Sequence, residues 1–248
     1  MPVDQTLSPT STSLSAAKGN FRGYKREQAE LSRRKLYSVT VFYTTYSAIL
    51  LYFGLRSSHP FIALTSYALG IPTWTFIEYF THRWVLHGQY KPGPGIGRKL
   101  LVKYINPLHW EHHERPFDGE HINGELQDLL PLFAFSAPLS FLFPIYLAPM
   151  VLAGVVQCYV IEEWIHHSVH FYSFRNSYFR YIRKHHIYHH TSNGMKMGYG
   201  FTSAIWDMVF GTRFPQAVRH RLYGSGSSET PHYTQSPEPF EPSENFQS

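Results

Sequence analysis

The stretch LLPLFAFSAPLSFLFPIYLAPMVLAGVVQCYVI, from Leu129 to Ile161, carries no charged side chain over 33 residues. It runs directly into Glu162-Glu-Trp-Ile-His166-His-Ser-Val-His170, where the polar chemistry begins. A membrane-spanning helix needs ~20 mostly apolar residues, so this run is too long for one span. Pro138, Pro144 and Pro149 interrupt it, and the pattern predicts two helices joined near Pro144 to Pro149. Two more uncharged windows lie upstream, Leu36 to Leu55 and Ser57 to Ile77, each the length of one span. The slightly negative mean hydropathy hides this pattern, because charge is absent from the windows and dense outside them. The expected fold is all-α and integral to a membrane, with four spans at about 36–55, 58–77, 129–145 and 148–165.

Charge on the flanks sets the orientation. Lys18, Arg22, Lys25, Arg26, Arg33, Arg34 and Lys35 precede the first window. Arg83, Lys91, Arg98, Lys99 and Lys103 follow the second, and Arg175, Arg180, Arg183 and Lys184 follow the fourth. The first turn between spans holds only Arg56, and the second holds no charge. The positive-inside rule then places both termini on the cytoplasmic side. Such a chain belongs in the endoplasmic reticulum of a eukaryote or the inner membrane of a bacterium. The net charge of +5 fits contact with anionic lipid rather than nucleic acid, for which no recognition module is present. Cys158 is the only cysteine, which excludes an internal disulfide and a thiolate metal cluster. Residues 1–20 and 223–248 read as disordered tails around a membrane domain at 21–222, and Lys91 to Gly97 reads as a loop. The Ser/Thr-rich N-terminus lacks the apolar core of a cleaved signal peptide.

Ten of the sixteen histidines fall into four groups at the edges of the uncharged windows: His82 and His87; His109, His112 and His113; His166 and His170; His186, His189 and His190. Neutral imidazole is the commonest metal ligand, and packing does not gather it at such spacings. Ten imidazoles exceed what one ion accepts, so two metals with about five ligands each are expected in a cytoplasmic helical cap. His166 and His170 share a helix face. His82 and His87 lie ~140° apart on an ideal helix and suit two different ions. His109 and His112 share a face from which His113 is turned by ~100°, and His186, His189 and His190 repeat that arrangement. His59, His121, His220 and His232 read as isolated polar residues, while His167 and His185 adjoin the groups without a settled role. Glu78 and Glu162 each precede a histidine by four residues and are expected to hydrogen-bond its second ring nitrogen. Trp84, Trp110, Trp164 and Trp206 stand at the caps, where each reads first as an interfacial anchor and second as a wall of a lipid entrance.

These residues resemble the fatty acid hydroxylase superfamily of membrane di-metal oxygenases. Glu78-Tyr-x2-His82-Arg-x2-Leu86-His87 resembles the first box of the fatty acid 2-hydroxylases. His112-His113-Glu-Arg-Pro-Phe-Asp118-Gly119 and Gly198-Tyr-Gly-Phe-Thr-Ser-x2-Trp206-Asp207-x2-Phe210-Gly-Thr212 resemble later motifs of that branch. Two departures stand out: His167 inside the third box, and Glu162-Glu163 where a Tyr-Asp pair is expected. The resemblance implies O2-dependent hydroxylation of a lipid acyl chain, at the 2-position, by two iron ions that an all-histidine site can also exchange for zinc. It assigns His82, His109, His112, His186 and His189 to one metal, and His87, His113, His166, His170 and His190 to the other. No separate catalytic base is implied. Electrons would come from another protein such as cytochrome b5 or a ferredoxin, since no His-Pro-Gly-Gly haem segment is present in the sequence. Desaturation or sterol-type oxidation at the same centre is the neighbouring expectation, and a non-catalytic metal carrier or transporter is the distant one.

Overall fold

A computed structural model describes residues 11–224 apart from 89, 92, 101, 104 and 105. His232 and the expected C-terminal tail beyond residue 224 lie outside the described residues, as do residues 1–10. Among the described residues every regular element is helical: α1 (Ser11–Leu55), α2 (Pro60–Phe80) continuing as a π-helical turn over Thr81–Leu86, α3 (Ile96–Leu100), α4 (Asn106–Glu114), α5 (Leu126–Ser140), α6 (Ala148–Phe171), α7 (Ser177–His189), α8 (Ile205–Val209) and α9 (Gln216–Tyr223). The first helix starts inside the stretch expected to be disordered.

Local chemistry sets several boundaries. Pro60 opens α2, where its missing N–H costs nothing. Glu125 and Asp128 form a reciprocal capping box at the start of α5. The Asn176 side chain caps α7 by accepting from the backbone N–H groups of Tyr178 and Phe179.

Three helices are long and apolar enough to cross a membrane, over Asn20–Leu55, Pro60–Leu86 and Ala148–Phe171. The expected span at 129–145 is different. Its helix, α5, has 15 residues and covers ~22 Å at 1.5 Å per residue, short of a ~30 Å hydrocarbon layer. Proline chemistry explains the stop, since Pro144 cannot continue a helix and the chain turns through Phe141–Leu147. Leu126 nevertheless packs on a core of Val39, Tyr43, Trp74, Phe133, Val156, Tyr159 and Val160. Ile145 and Tyr146 reach a second core at Leu50, Ala63, Met150 and Ala153.

α6 is the central helix and packs against both α1 and α2. Between apolar helices in lipid, close backbone approach replaces water exclusion as the source of attraction. Gly70 and Gly154 supply it: a Cβ added to Gly154 would collide with the carbonyl oxygen of Tyr67. Phe61, Leu64, Leu69 and Ile71 stay exposed on the outside of α2, as a lipid-facing surface requires.

At ~1.5 Å per residue, α1 is ~68 Å long, so it outruns the bundle and props the histidine-bearing end. Ala29 packs with Ile122 and Phe171, the Gln28 side chain accepts from the backbone N–H of Gly119, and Lys35 pairs with Glu120 and Glu125. The N-terminal part of α1, the histidines and α7–α9 therefore share one end of the molecule.

Candidate metal centre

The ten clustered histidines gather into two groups of five, and within each group the ring nitrogens that face inward lie within 4.8 Å of one another. The first group is His82, His87, His109, His113 and His189; the second is His112, His166, His170, His186 and His190. In the first, Nε2 of His87 lies 3.0 Å from that of His189 and 2.8 Å from that of His109, which is 3.0 Å from that of His113. In the second, the Nε2 atoms of His166 and His112 are 3.0 Å apart, those of His170 and His186 2.8 Å, and those of His190 and His186 3.0 Å. The His113 and His190 rings stack at 4.3 Å and join the two groups.

This grouping corrects the division that the family resemblance implied. His87 and His113 exchange places with His112 and His186. The first reason is the π-helical turn: the N–H of His87 bonds the carbonyl of His82 at 3.1 Å, an i+5 bond that brings both side chains to one face. The ideal α-helical angle does not apply there. The second reason is that residues four apart on an α-helix differ by ~40° and residues three apart by ~60° in the other sense. His109 therefore joins His113, and His186 joins His190, while His112 and His189 turn to the opposite groups.

Burial makes these imidazoles ligands-in-waiting. All ten are buried except His87 and His166, which are half-buried. Desolvation holds His87 down at about 2 and His113 at about 3, with neighbouring imidazoles adding to the shift. The same burial keeps His109, His112, His186, His189 and His190 well below the ordinary range. Neutral rings leave nitrogen lone pairs free. Two tautomers follow from their partners: Nδ1 of His82 donates to the carbonyl of Tyr199 at 2.6 Å and Nδ1 of His189 to that of Met197 at 2.7 Å. A carbonyl only accepts, so the Nε2 of each presents a lone pair to its group. Converging nitrogen lone pairs repel unless a cation sits among them, and the donor set fits an imidazole-binding transition metal.

The carboxylates sit elsewhere than expected. Glu78 does not hold His82; it accepts from the Thr202 N–H at 3.0 Å, the Thr202 hydroxyl at 2.6 Å and the Phe201 N–H. Glu162 accepts from the indole N–H of Trp74 at 2.6 Å rather than from His166. Residues four apart share a helix face, but donors from other elements take these carboxylates first: the Phe201–Thr202 segment for Glu78 and the Trp74 indole for Glu162. Glu163 accepts from the Asn123 amide and the Gly124 N–H.

Asp207 is the functional residue that spacing alone missed, although it stands inside the closing motif. It is fully buried and accepts from the N–H groups of Tyr199 and Gly200, both at 2.9 Å, and from the Thr212 hydroxyl at 2.6 Å. Burial raises its carboxyl against the lowering effect of those bonds. Asp207 and Glu78 thus fix the segment Tyr199–Thr202, whose first carbonyl orients His82 and whose Phe201 ring packs on His166 and His186 at 4.9 and 4.6 Å. Gly198 enters this segment at φ 65° with Phe214 against it, a position without room for a side chain.

His167 and His185 belong to neither group. Nδ1 of His167 lies 2.8 Å from the Ser32 hydroxyl, which also bonds Asn123, so this extra histidine ties α6 to α1. Nδ1 of His185 lies 2.8 Å from the Tyr223 hydroxyl, and its ring packs on Phe214. His59 contacts Tyr146 at the far end of the bundle, and His121 pairs with Glu111 and Asp118. Trp110 packs against His87 and His113 rather than serving only as an anchor.

Span-length apolar helices capped by two five-imidazole groups define a membrane protein of the histidine-cluster class. The chain belongs to the fatty acid hydroxylase family, whose model matches residues 67–212. It is 29% identical over 158 residues to a fatty acid 2-hydroxylase of Mus musculus, covering 63% of this chain and 41% of that protein. It is 34% identical over 149 residues to the dihydroceramide fatty acyl 2-hydroxylase FAH2 of Arabidopsis thaliana, covering 58% and 59%. A solved structure of full-length scs7p, with only its hydroxylase domain visible, matches with a TM-score of 0.64 at 27% identity over 73% of this chain and 67% of that one. The chain therefore spans about two fifths of the mouse relative and three fifths of the plant one.

Proposed function

We propose that this chain is an O2-dependent hydroxylase that places a hydroxyl group on a lipid acyl chain at its 2-position. The observation that carries this reading is the pair of five-imidazole groups at the end of an apolar bundle. The names of the relatives, fatty acid and fatty acyl 2-hydroxylases, support the choice of substrate and position. His82, His87, His109, His113 and His189 would hold one iron, and His112, His166, His170, His186 and His190 the other. Bound iron supplies the oxidant that no side chain provides for an unactivated C–H bond, drawing on O2 and two external electrons.

The remaining work belongs to the protein. Tyr199 and Met197 carbonyls hold the protons on Nδ1 of His82 and His189, keeping their Nε2 atoms as donors of lone pairs. Phe201, Trp110 and Tyr199 surround the groups with aromatic surface and exclude bulk water. We place the histidine end at the cytoplasmic face by its flanking lysines and arginines. Leu126–Tyr146 then makes a fourth crossing, part helix and part turn. A separate donor such as cytochrome b5 or a ferredoxin delivers electrons from that side.

The test feeds cells that express the chain a fatty acid deuterated at carbon 2, with lipids analysed by mass spectrometry. A 2-hydroxy acyl product that has lost one deuterium and gained oxygen from 18O2 is expected. His113→Ala, inserted in the membrane to the same level, is expected to give none. A double bond without an alcohol overturns hydroxylation.

A further inference from the structure

Beside α8 and α9, away from both histidine groups, lies a cavity of about 320 Å3 lined by Tyr181, Arg213, Gln216, Arg219, His220 and Tyr223, with His185 and Phe214 at its floor. This volume is at the small end of ligand sites. The lining offers guanidinium, imidazole, amide and phenol groups and includes no carboxylate. Asp207, the nearest acid behind His185, already accepts three hydrogen bonds. Arg219 spends its Nε–H on the Phe214 carbonyl at 3.1 Å, which fixes the direction of its guanidinium. Arg213 is exposed and has no carboxylate partner among the described residues. Two arginines in the wall of one cavity that holds no carboxylate make a site for an anion, and a planar guanidinium matches phosphate oxygens two at a time.

The source of that anion follows from where the cavity sits. Ala204, in its wall, immediately precedes α8, and α8 exposes Ile205, Met208 and Val209, the last to 64%. The indole N–H of Trp206 donates to the Thr75 hydroxyl and its ring packs on Phe76 at 4.9 Å. Thr75 lies five residues, ~7.5 Å, below the end of α2 at Phe80. The exposed apolar face of α8 is therefore level with the last turns of a spanning helix, and Arg213, just beyond it, stands at the height of lipid phosphates.

We propose that this cavity binds the phosphate of an anionic membrane lipid, one without an ammonium on its head because no carboxylate is present to receive one. The site rests on the reading of α2 as membrane-spanning, not on the hydroxylase activity.

The probe is short-chain phosphatidic acid added to the full chain, metal-loaded in non-ionic detergent and observed by native mass spectrometry. One tightly retained phosphatidic acid is expected, with phosphatidylcholine at least about tenfold weaker. Arg213→Gln is expected to weaken retention about tenfold or more. Gln216→Glu, which sets a carboxylate beside the arginines, should do the same, both with unchanged metal content. Equal retention by these variants overturns the site. Displacement of the lipid by millimolar inorganic phosphate would make it a soluble-anion site instead. Truncation after Gly224 should leave retention unchanged; a tenfold gain would identify the segment bearing Glu229, Glu238, Glu241 and Glu244 as the occupant. Recovery of the chain in the aqueous phase without detergent would instead remove the membrane reading itself.

Discussion

At the scale of the residue, the centre depends on groups that never face it. Asp207 holds the Tyr199 and Gly200 N–H groups and the Thr212 hydroxyl, so the Tyr199 carbonyl points at Nδ1 of His82. Asparagine keeps the shape but turns an N–H2 toward one of three donors, and that bond is lost. Asp207→Asn is therefore expected to lower metal affinity by up to about 10-fold, the low end of the cost of disturbing a ligand's own hydrogen-bond partner, because Asp207 acts on His82 through the Tyr199 backbone. Chelator competition measures this, and unchanged affinity would reduce Asp207 to a structural residue. Helical content by circular dichroism should match the parent chain. Glu78 serves the same segment through Phe201 and Thr202, so the two acids act on one piece of backbone from opposite sides.

At the scale of the element, the sequence was most legible where chemistry is local. Uncharged windows predicted α1, α2 and α6, and histidine spacing predicted the residues that now stand together. What escaped was geometry that depends on departures from ideal helices. Nothing in Thr81-His-Arg-Trp-Val-Leu86 announces a π-helical turn, yet that turn puts His82 and His87 in one group. The shortness of α5 was written in its prolines but masked by an unbroken run of apolar residues. Asp207 was visible only as a letter in a motif, because its three donors come from turns that form after the chain folds. Helix packing gives a matched pair of tests. Gly154→Val drives a side chain into the backbone of α2 at Tyr67, and overpacking of this kind costs about 1–3 kcal/mol. Because His82 and His166 ride on those two helices, metal retention should fall along with the melting temperature. Gly23 on α1 has nothing within 4 Å of an added Cβ, so Gly23→Ala should instead stabilise by about 0.5–1 kcal/mol. A similar response from both variants would contradict the close contact of α2 with α6.

At the scale of the whole molecule, the ten histidines join stability to proton concentration. An imidazole in an unfolded chain titrates near 6.5. Those of His87, His109, His112, His113, His186, His189 and His190 lie below that value in the fold, chiefly through burial. Below pH ~6.5 the unfolded chain binds protons that the folded chain refuses, so stability is fully present above that pH and lost as pH falls. Each group contributes up to about 1.4 kcal/mol per pH unit, and three of them alone would remove about 4 kcal/mol between pH 6 and 5. Metal binding has the same sign, since ligation also needs the neutral ring. Acidification of the loaded protein should therefore release metal and lower the melting temperature over one pH window. The metal-free chain should melt lower wherever the loaded protein still holds its metal, and should still lose stability toward pH 5. Calorimetry in buffers of different ionisation enthalpy, beside metal analysis of the released fraction, separates the two contributions. A melting temperature that stays flat from pH 7 to 5 in the metal-free chain would mean that the imidazoles are open to solvent, and the two compact groups would not exist as drawn.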